Sequence, residues 1–149
     1  MCGLRPLRFF FYNICGMNNK RIYTLIENHL FSKAYQKGVT EVNKYTAVYI
    51  LRNYKKNPDG TKLPPRMGIT VNRKLGKAVK RNRVKRMIRE AYRKLRPLLQ
   101  DGIIVVIAAR GAAFQKKVKT DDIEYFLNKT MKSLGAFEGS NLKARMKNK

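Results

Sequence analysis

Residues 103–110, IIVVIAAR, form a continuous apolar run closed by a single cation. A strand of that composition is buried on both faces, so the sheet that holds it is covered by helices. The preceding segment supplies one such cover. MGITVNR, residues 67–73, reads as a strand, and residues 76–96 follow it with helical periodicity. Strand, helix and strand are together long enough for a parallel crossover, which the general rule makes right-handed.

The other elements fit around this unit. NHLFSKAYQKG, residues 28–38, opens on an N-cap residue and ends on Gly, and places Leu30, Phe31, Ala34 and Tyr35 on one side of a short helix. YTAVYILRN, residues 45–53, is a β-branched and aromatic strand. The polar loop 54–66, with three Pro and an Asp-Gly pair, joins it to the strand at Met67 in a long hairpin. A last helix over residues 121–134 carries Ile123, Phe126, Leu127, Met131 and Leu134 on one stripe. The fold class is therefore α+β, an α/β sandwich with a single sheet of about four strands packed with helices. The 149 residues make one domain, expected over residues 17–135. Residues 1–16 read as a disordered extension or a mis-assigned start, with Met17 the alternative, and residues 136–149 as a basic flexible tail.

The whole chain carries 34 Lys and Arg against 9 Asp and Glu, a formal net charge of +25. Self-repulsion on that scale opposes a compact state and calls for an extensive anionic partner. Nucleic acid is the first candidate and an anionic membrane surface the second. No apolar run approaches the roughly 20 residues of a transmembrane helix, and the run at residues 9–12 is too short for a signal peptide. A membrane partner is not expected. Cys2 and Cys15 have no second Cys or His at ligand spacing, which leaves no disulfide framework and no zinc site and fits a reducing, cytosolic compartment.

The charge is concentrated in GKAVKRNRVKRMIREAYRKLR, residues 76–96, where nine Lys or Arg between Lys80 and Arg96 face one acid, Glu90. At about 100° per residue, Val84, Met87, Ile88, Ala91, Tyr92 and Leu95 form the core stripe. Lys85, Arg86, Arg89, Arg93, Lys94 and Arg96 cover the rest, largely as unpaired charge. The ordinary reading of a charge run is a solvated helix face. Two features oppose it here. Like charges recur at i,i+4, Lys85 with Arg89 and Arg89 with Arg93, which is mildly destabilising. Lys80 and Arg81 also project toward the side of Val84 and Ile88, where a purely structural helix would be apolar. Lys74, Lys77, Lys80, Arg81 and Arg83 thus gather around a helix N-terminus whose free N–H groups favour phosphate, a phosphate-rich RNA site. Asn82 can cap, bond the chain internally, or contact a base or sugar, and the internal role is the ordinary one.

Residues 66–93, RMGITVNRKLGKAVKRNRVKRMIREAYR, resemble the signature of the bacterial ribonuclease P protein component, with Arg81-Asn82-Arg83 at its centre. The resemblance extends through LFSKAYQKG and GIIVVIAARGAA and covers about residues 20–134. It implies an α/β sandwich like a ribosomal-protein domain, with a left-handed crossover through the basic helix. It also implies that the chain is the small partner of a catalytic RNA removing the 5′ leader from precursor tRNA; a cytoplasmic location is expected, and no stable protein partner is inferred. Contacts to the ribozyme RNA are then expected from Arg73, Lys74, Lys77, Lys80, Arg81, Asn82, Arg83, Lys85, Arg86 and Arg89. A leader-binding cleft is expected from Phe31, Tyr35 and Tyr49. Aromatic rings suit that role independently, because base stacking tolerates any sequence. Without the resemblance, i,i+4 core packing is the ordinary reading of Phe31 and Tyr35. Tyr35 stands where Phe is common in the family, and its hydroxyl requires a polar or wet neighbour.

No catalytic residue is expected in the protein itself. A two-metal nuclease needs carboxylates converging on ions about 4 Å apart, whereas only Asp121, Asp122 and Glu124 cluster, at a helix start where acids favour the dipole. His29 is the single histidine. Mg²⁺ is expected for the holoenzyme, held mainly by RNA, with no metal site on the protein. The competing readings are a ribosomal or general RNA-binding protein, and a self-sufficient metal nuclease.

Overall fold

A computed structural model describes residues 22–140. The elements in chain order are β1 (Tyr23–Thr24), α1 (Asn28–Lys37), β2 (Val39–Val42), β3 (Thr46–Arg52), β4 (Arg66–Thr70), α2 (Ala78–Leu95), β5 (Ile103–Ala109) and α3 (Thr120–Leu134). Short 3₁₀ turns at Arg73–Leu75, Arg96–Leu98 and Gly111–Phe114 join them. The expectations for residues 1–16 and for the tail beyond residue 140 lie outside the described residues.

The strands form one mixed sheet in the order β1-β4-β5-β3-β2. β4 and β5 are parallel neighbours joined by α2, as the crossover requires, and β5 is antiparallel to β3. The expected hairpin between β3 and β4 does not form, because β5 lies between them. A seven-residue strand buried on both faces would waste that burial at an edge, so it takes the centre and pushes its sequence neighbours apart. The sheet has five strands instead of about four. β1 and β2, of two and four residues, are too short to register as periodic patterns.

Alternation along the strands sorts two cores. Val48, Ile50, Ile103, Val105 and Ile107 face α2 and α3, meeting Val84, Ile88, Tyr92, Ile123, Leu127 and Met131. Leu51, Ile104 and Val106 face α1 around the fully buried Ala34. Two long helices cover the first face, and one ten-residue helix covers the second. The second face therefore stays partly open, with Tyr49, Ala108 and Thr70 incompletely covered.

Three end details differ from expectation. Asn28 is the first helical residue of α1 and Glu27 occupies its cap. Gly38 ends α1 in extended backbone, where a Cβ would collide with the carbonyl oxygen of Ala34. Ordered packing also runs past residue 135: Ala136 is fully buried, its carbonyl accepts from Gln100 N–H at 3.1 Å, and Glu138 N–H donates to Leu98 at 3.0 Å.

Candidate nucleic-acid interface

The N-terminal half of α2 and the turn before it hold the expected RNA-contacting set. Asn72 Oδ1 accepts the N–H of Lys74 at 2.9 Å and starts the turn through Arg73. Gly76, at φ 156° and ψ 173°, then swings the chain into α2 through backbone space that side chains rarely enter. Lys77 is the cap residue and makes no side-chain cap bond. The N–H groups of the first turn therefore face outward without a capping side chain. Arg73, Lys74, Lys77 and Lys80 are exposed around them, and Val79 is 80% exposed, so this turn projects beyond the core. The core begins at Val84.

The central triplet divides its work. Arg83 Nη2 donates to the carbonyls of Lys116 and Val118, at 3.2 Å each, tying α2 to the segment that leads into α3. Arg81 Nε is shielded from water and has no hydrogen-bond partner among the described residues. Asn82 is exposed and its side chain makes no hydrogen bond to a described residue, so the internal role expected for it is not the one it has. Arg86 and Arg89 are exposed and Lys85 half-buried. None of these cations forms an ion pair among the described residues.

The C-terminal half of α2 differs from the expectation of unpaired charge along its whole length. Arg93 pairs with Glu90. Lys94 Nζ lies 2.6 Å from Glu124 Oε2 and 3.5 Å from Asp121 Oδ1 on α3, and the Glu124 hydrogen bond pushes the lysine pKa up. Arg96, expected on the outer face, is 1% exposed. On the exposed face of α2, the cations without an acidic partner among the described residues thereby lie in its N-terminal part, up to Arg89.

The second surface lies over the open face of the sheet. Tyr49, Val106 and Gly68 sit side by side across β3, β5 and β4. The Phe31 ring rests directly on Gly68, where any Cβ would overlap it. Tyr35 meets Tyr49 edge to face at 4.8 Å between centroids, and its hydroxyl shares a 2.6 Å hydrogen bond with Thr70 Oγ1. Tyr35 remains 38% exposed, and Phe31 and Tyr49 are half-buried. The rings thus pack on the sheet and keep accessible surface. Glu27, ahead of α1, holds Arg66 at 2.9 Å, and that hydrogen bond lowers the carboxyl pKa. Gly68 and Thr70 were not foreseen. Strand alternation through Arg66–Thr70 carries the signal, since it places both on the face that α1 covers.

The two surfaces meet at one edge of the sheet. Among the described residues, β1 pairs with Arg66 and Met67 of β4. Beside it Phe31, Met67 and Ile69 line a cleft whose other wall is Lys85 and Arg89 of α2. The clustered acids are committed elsewhere: Asp122 Oδ2 accepts the Lys119 N–H at 2.9 Å and caps α3, while Asp121 and Glu124 hold Lys94. No group of three or more His, Cys, Asp or Glu placed to hold a metal ion occurs among the described residues.

The family described as Ribonuclease P matches residues 19–135. The chain is 42% identical over 94 residues to the ribonuclease P protein component of Symbiobacterium thermophilum, covering 63% of this chain and 76% of that one. It is 34% identical over 113 residues to that of Caldanaerobacter subterraneus subsp. tengcongensis, covering 74% and 91%. Its fold is similar to the RNase P protein of Staphylococcus aureus, with TM-score 0.64, 29% identity and coverage of 79% and 100%. It is also similar to that of Thermotoga maritima, with TM-score 0.61, 27% identity and coverage of 75% and 97%. With the unpaired basic helix end and the aromatic cleft inside the matched region, the chain belongs to the ribonuclease P protein family.

Proposed function

We propose that the protein is the small subunit of a ribonuclease P ribonucleoprotein, in which it binds a catalytic RNA and the 5′ leader of precursor tRNA while the RNA performs the hydrolysis. The observation that carries this is the adjacency of two unlike surfaces. A cluster of cations without acidic partners suits duplex or folded RNA phosphates. Next to it, across the edge of β4, rings on a smooth sheet floor suit a single strand, whose unstacked bases lie flat on aromatic faces.

In this reading Arg73, Lys74, Lys77, Lys80, Arg81, Asn82, Arg86 and Arg89 contact the ribozyme, and Lys85 lies at the seam. Arg83 divides its guanidinium between RNA and the carbonyls of Lys116 and Val118. Phe31, Tyr35 and Tyr49 receive the leader. Mg²⁺ is held by RNA and phosphate, and the protein's cations screen repulsion between ribozyme and substrate. The protein assists cleavage by positioning the substrate.

Reconstitution at low Mg²⁺ tests the proposal. Pure protein should leave precursor tRNA intact, and adding it to a bacterial ribonuclease P RNA should restore cleavage at the mature 5′ end. Unchanged ribozyme activity would favour a general RNA-binding protein instead. Cleavage by pure protein that depends on Asp121 and Asp122 would favour a self-sufficient nuclease.

A further inference from the structure

The floor of the aromatic cleft continues past the three rings assigned to it. On β4, Thr70, Gly68 and Arg66 face α1: Thr70 bonds Tyr35, Gly68 lies under Phe31, and Arg66 reaches Glu27. Tyr23 stands beside Arg66 in the parallel β1–β4 pair and on the same face, since Leu25, two residues on, belongs to the α1-side core. Tyr23, Asn57, Leu63, Pro64 and Arg66 together line a cavity of about 410 Å³, open to solvent. That volume falls in the roughly 300–1,000 Å³ range of small-molecule sites.

The walls are preformed. Leu25 is buried and its N–H donates to the Met67 carbonyl at 2.8 Å, so the backbone beside Tyr23 is fixed while the ring stays 41% exposed. The facing wall belongs to the loop between β3 and β4. Asn57 N–H donates to the Thr61 carbonyl and Asn57 Nδ2 to Thr61 Oγ1, both at 2.9 Å, which closes the loop on itself. Gly102 N–H donates to the Leu63 carbonyl at 2.7 Å and ties the loop to the start of β5.

The lining selects the occupant. Arg66 is the one cation in it and is already paired with Glu27, so the cavity offers phosphate no unpaired charge. It offers an accessible phenol ring, two apolar side chains, and the polar edges of Asn57 and Arg66. A ring to stack on with polar groups at its rim is the complement of a nucleobase. Position then selects which base. β4 runs from Arg66 through Thr70 toward the basic turn, so the ribozyme and the scissile bond lie at the Thr70 end. A leader running back along β4 passes Tyr35 and Tyr49 first. Its upstream part meets Arg66 about 13 Å beyond Thr70, at 3.3 Å per residue.

We propose that this cavity binds one base of the leader, upstream of the nucleotides over Tyr35 and Tyr49, by stacking on Tyr23. The assignment rests on the leader reading given above.

The test titrates the reconstituted holoenzyme, at low Mg²⁺, with precursor tRNAs whose 5′ leaders lengthen one nucleotide at a time. Beyond the lengths that respond to Tyr49→Ala, one further nucleotide should tighten binding by at least about five-fold, the lower end of a base–aromatic stack. Making that nucleotide abasic should remove the step, as should Tyr23→Ala, whereas Tyr23→Phe keeps the ring and should retain it. With p-benzoylphenylalanine in place of Tyr23, irradiation should join the chain to the same nucleotide. Absence of the step would overturn the proposal, as would its survival in Tyr23→Ala or with the abasic leader, or its loss in Tyr23→Phe. Crosslinks confined to residues 1–21 would also overturn it, by making the chain's own N-terminal residues the occupant. In each case an intact Tyr49→Ala response would leave the leader reading standing. Binding indifferent to leader length and to Tyr49→Ala would overturn both.

Discussion

Tyr35 shows how one side chain serves both packing and recognition. Its ring leans on Tyr49, and its hydroxyl reaches across the cleft to Thr70 on β4. Tyr35→Phe should cost about 0.5–1.5 kcal/mol of stability, the usual net value of such a bond, and leave leader affinity nearly intact because the ring stays. Tyr49→Ala should instead weaken binding of leader-bearing substrate by about 1–3 kcal/mol, with little change for substrate lacking a leader. Titrations of both substrates check the pair. Gly68 is equally exacting. Gly68→Ala would force the Phe31 ring off the sheet, and an overpacking cost of about 1–3 kcal/mol is expected in denaturant unfolding.

Glu27 adds a pH-dependent contribution. Its folded pKa lies below the ordinary value of 4.5, first because Arg66 donates to it. A depressed carboxylate pKa means the contribution is present above the unfolded value and lost as pH falls through the folded one. The stability gap between the native protein and Glu27→Gln should therefore be flat from pH 7 to about 5 and close below about 4.5.

Among the elements, α2 separates what its charge count merges. Lys77→Ala or Arg81→Ala should each reduce the salt dependence of ribozyme binding by about 0.7–0.9 in log–log slope, one released counterion apiece. Lys94→Ala should lower stability and leave that slope alone, because its ammonium is already held by Glu124 and Asp121. Arg83→Ala should lower both, since it loses bonds to Lys116 and Val118 as well. Binding measured across salt, alongside thermal unfolding, separates the three.

The same helix marks how far the sequence could be read. The Val84 to Leu95 stripe was visible because 3.6-residue periodicity is local, and the buried strand at Ile103 was visible because its composition needs no partner to interpret. Pairing is not local. Nothing in residues 76–96 indicates that acids on α3 neutralise Lys94, that Arg96 turns inward, or that Asn82 is left without an internal partner. Sheet order escaped for the same reason, since the hairpin between β3 and β4 competes with a better partner forty residues further on. The aromatic cleft was legible as three residues through family resemblance, whereas its floor of Gly68 and Thr70 required the register.

For the whole molecule, the central position of β5 has a consequence for how the chain reaches its native state. Thr46 pairs with Ala109 and Arg52 with Ile103, so β3 has its long partner only after the loop, β4 and α2 have all been traversed. Long-range pairing of this kind slows folding, because loop closure is opposed by entropy before the contacts compensate. A chain emerging from the ribosome N-terminus first must hold β3 with only the short β2 as its strand partner, and the cationic helix without its full sheet to pack on, until residue 109 is out. During that interval an uncompacted basic polypeptide meets abundant RNA. Refolding in stopped flow should be slow for a domain of this size, and Val105→Ala, opposite Ile50 in β5, should slow it further if the β3–β5 pairing forms in the transition state.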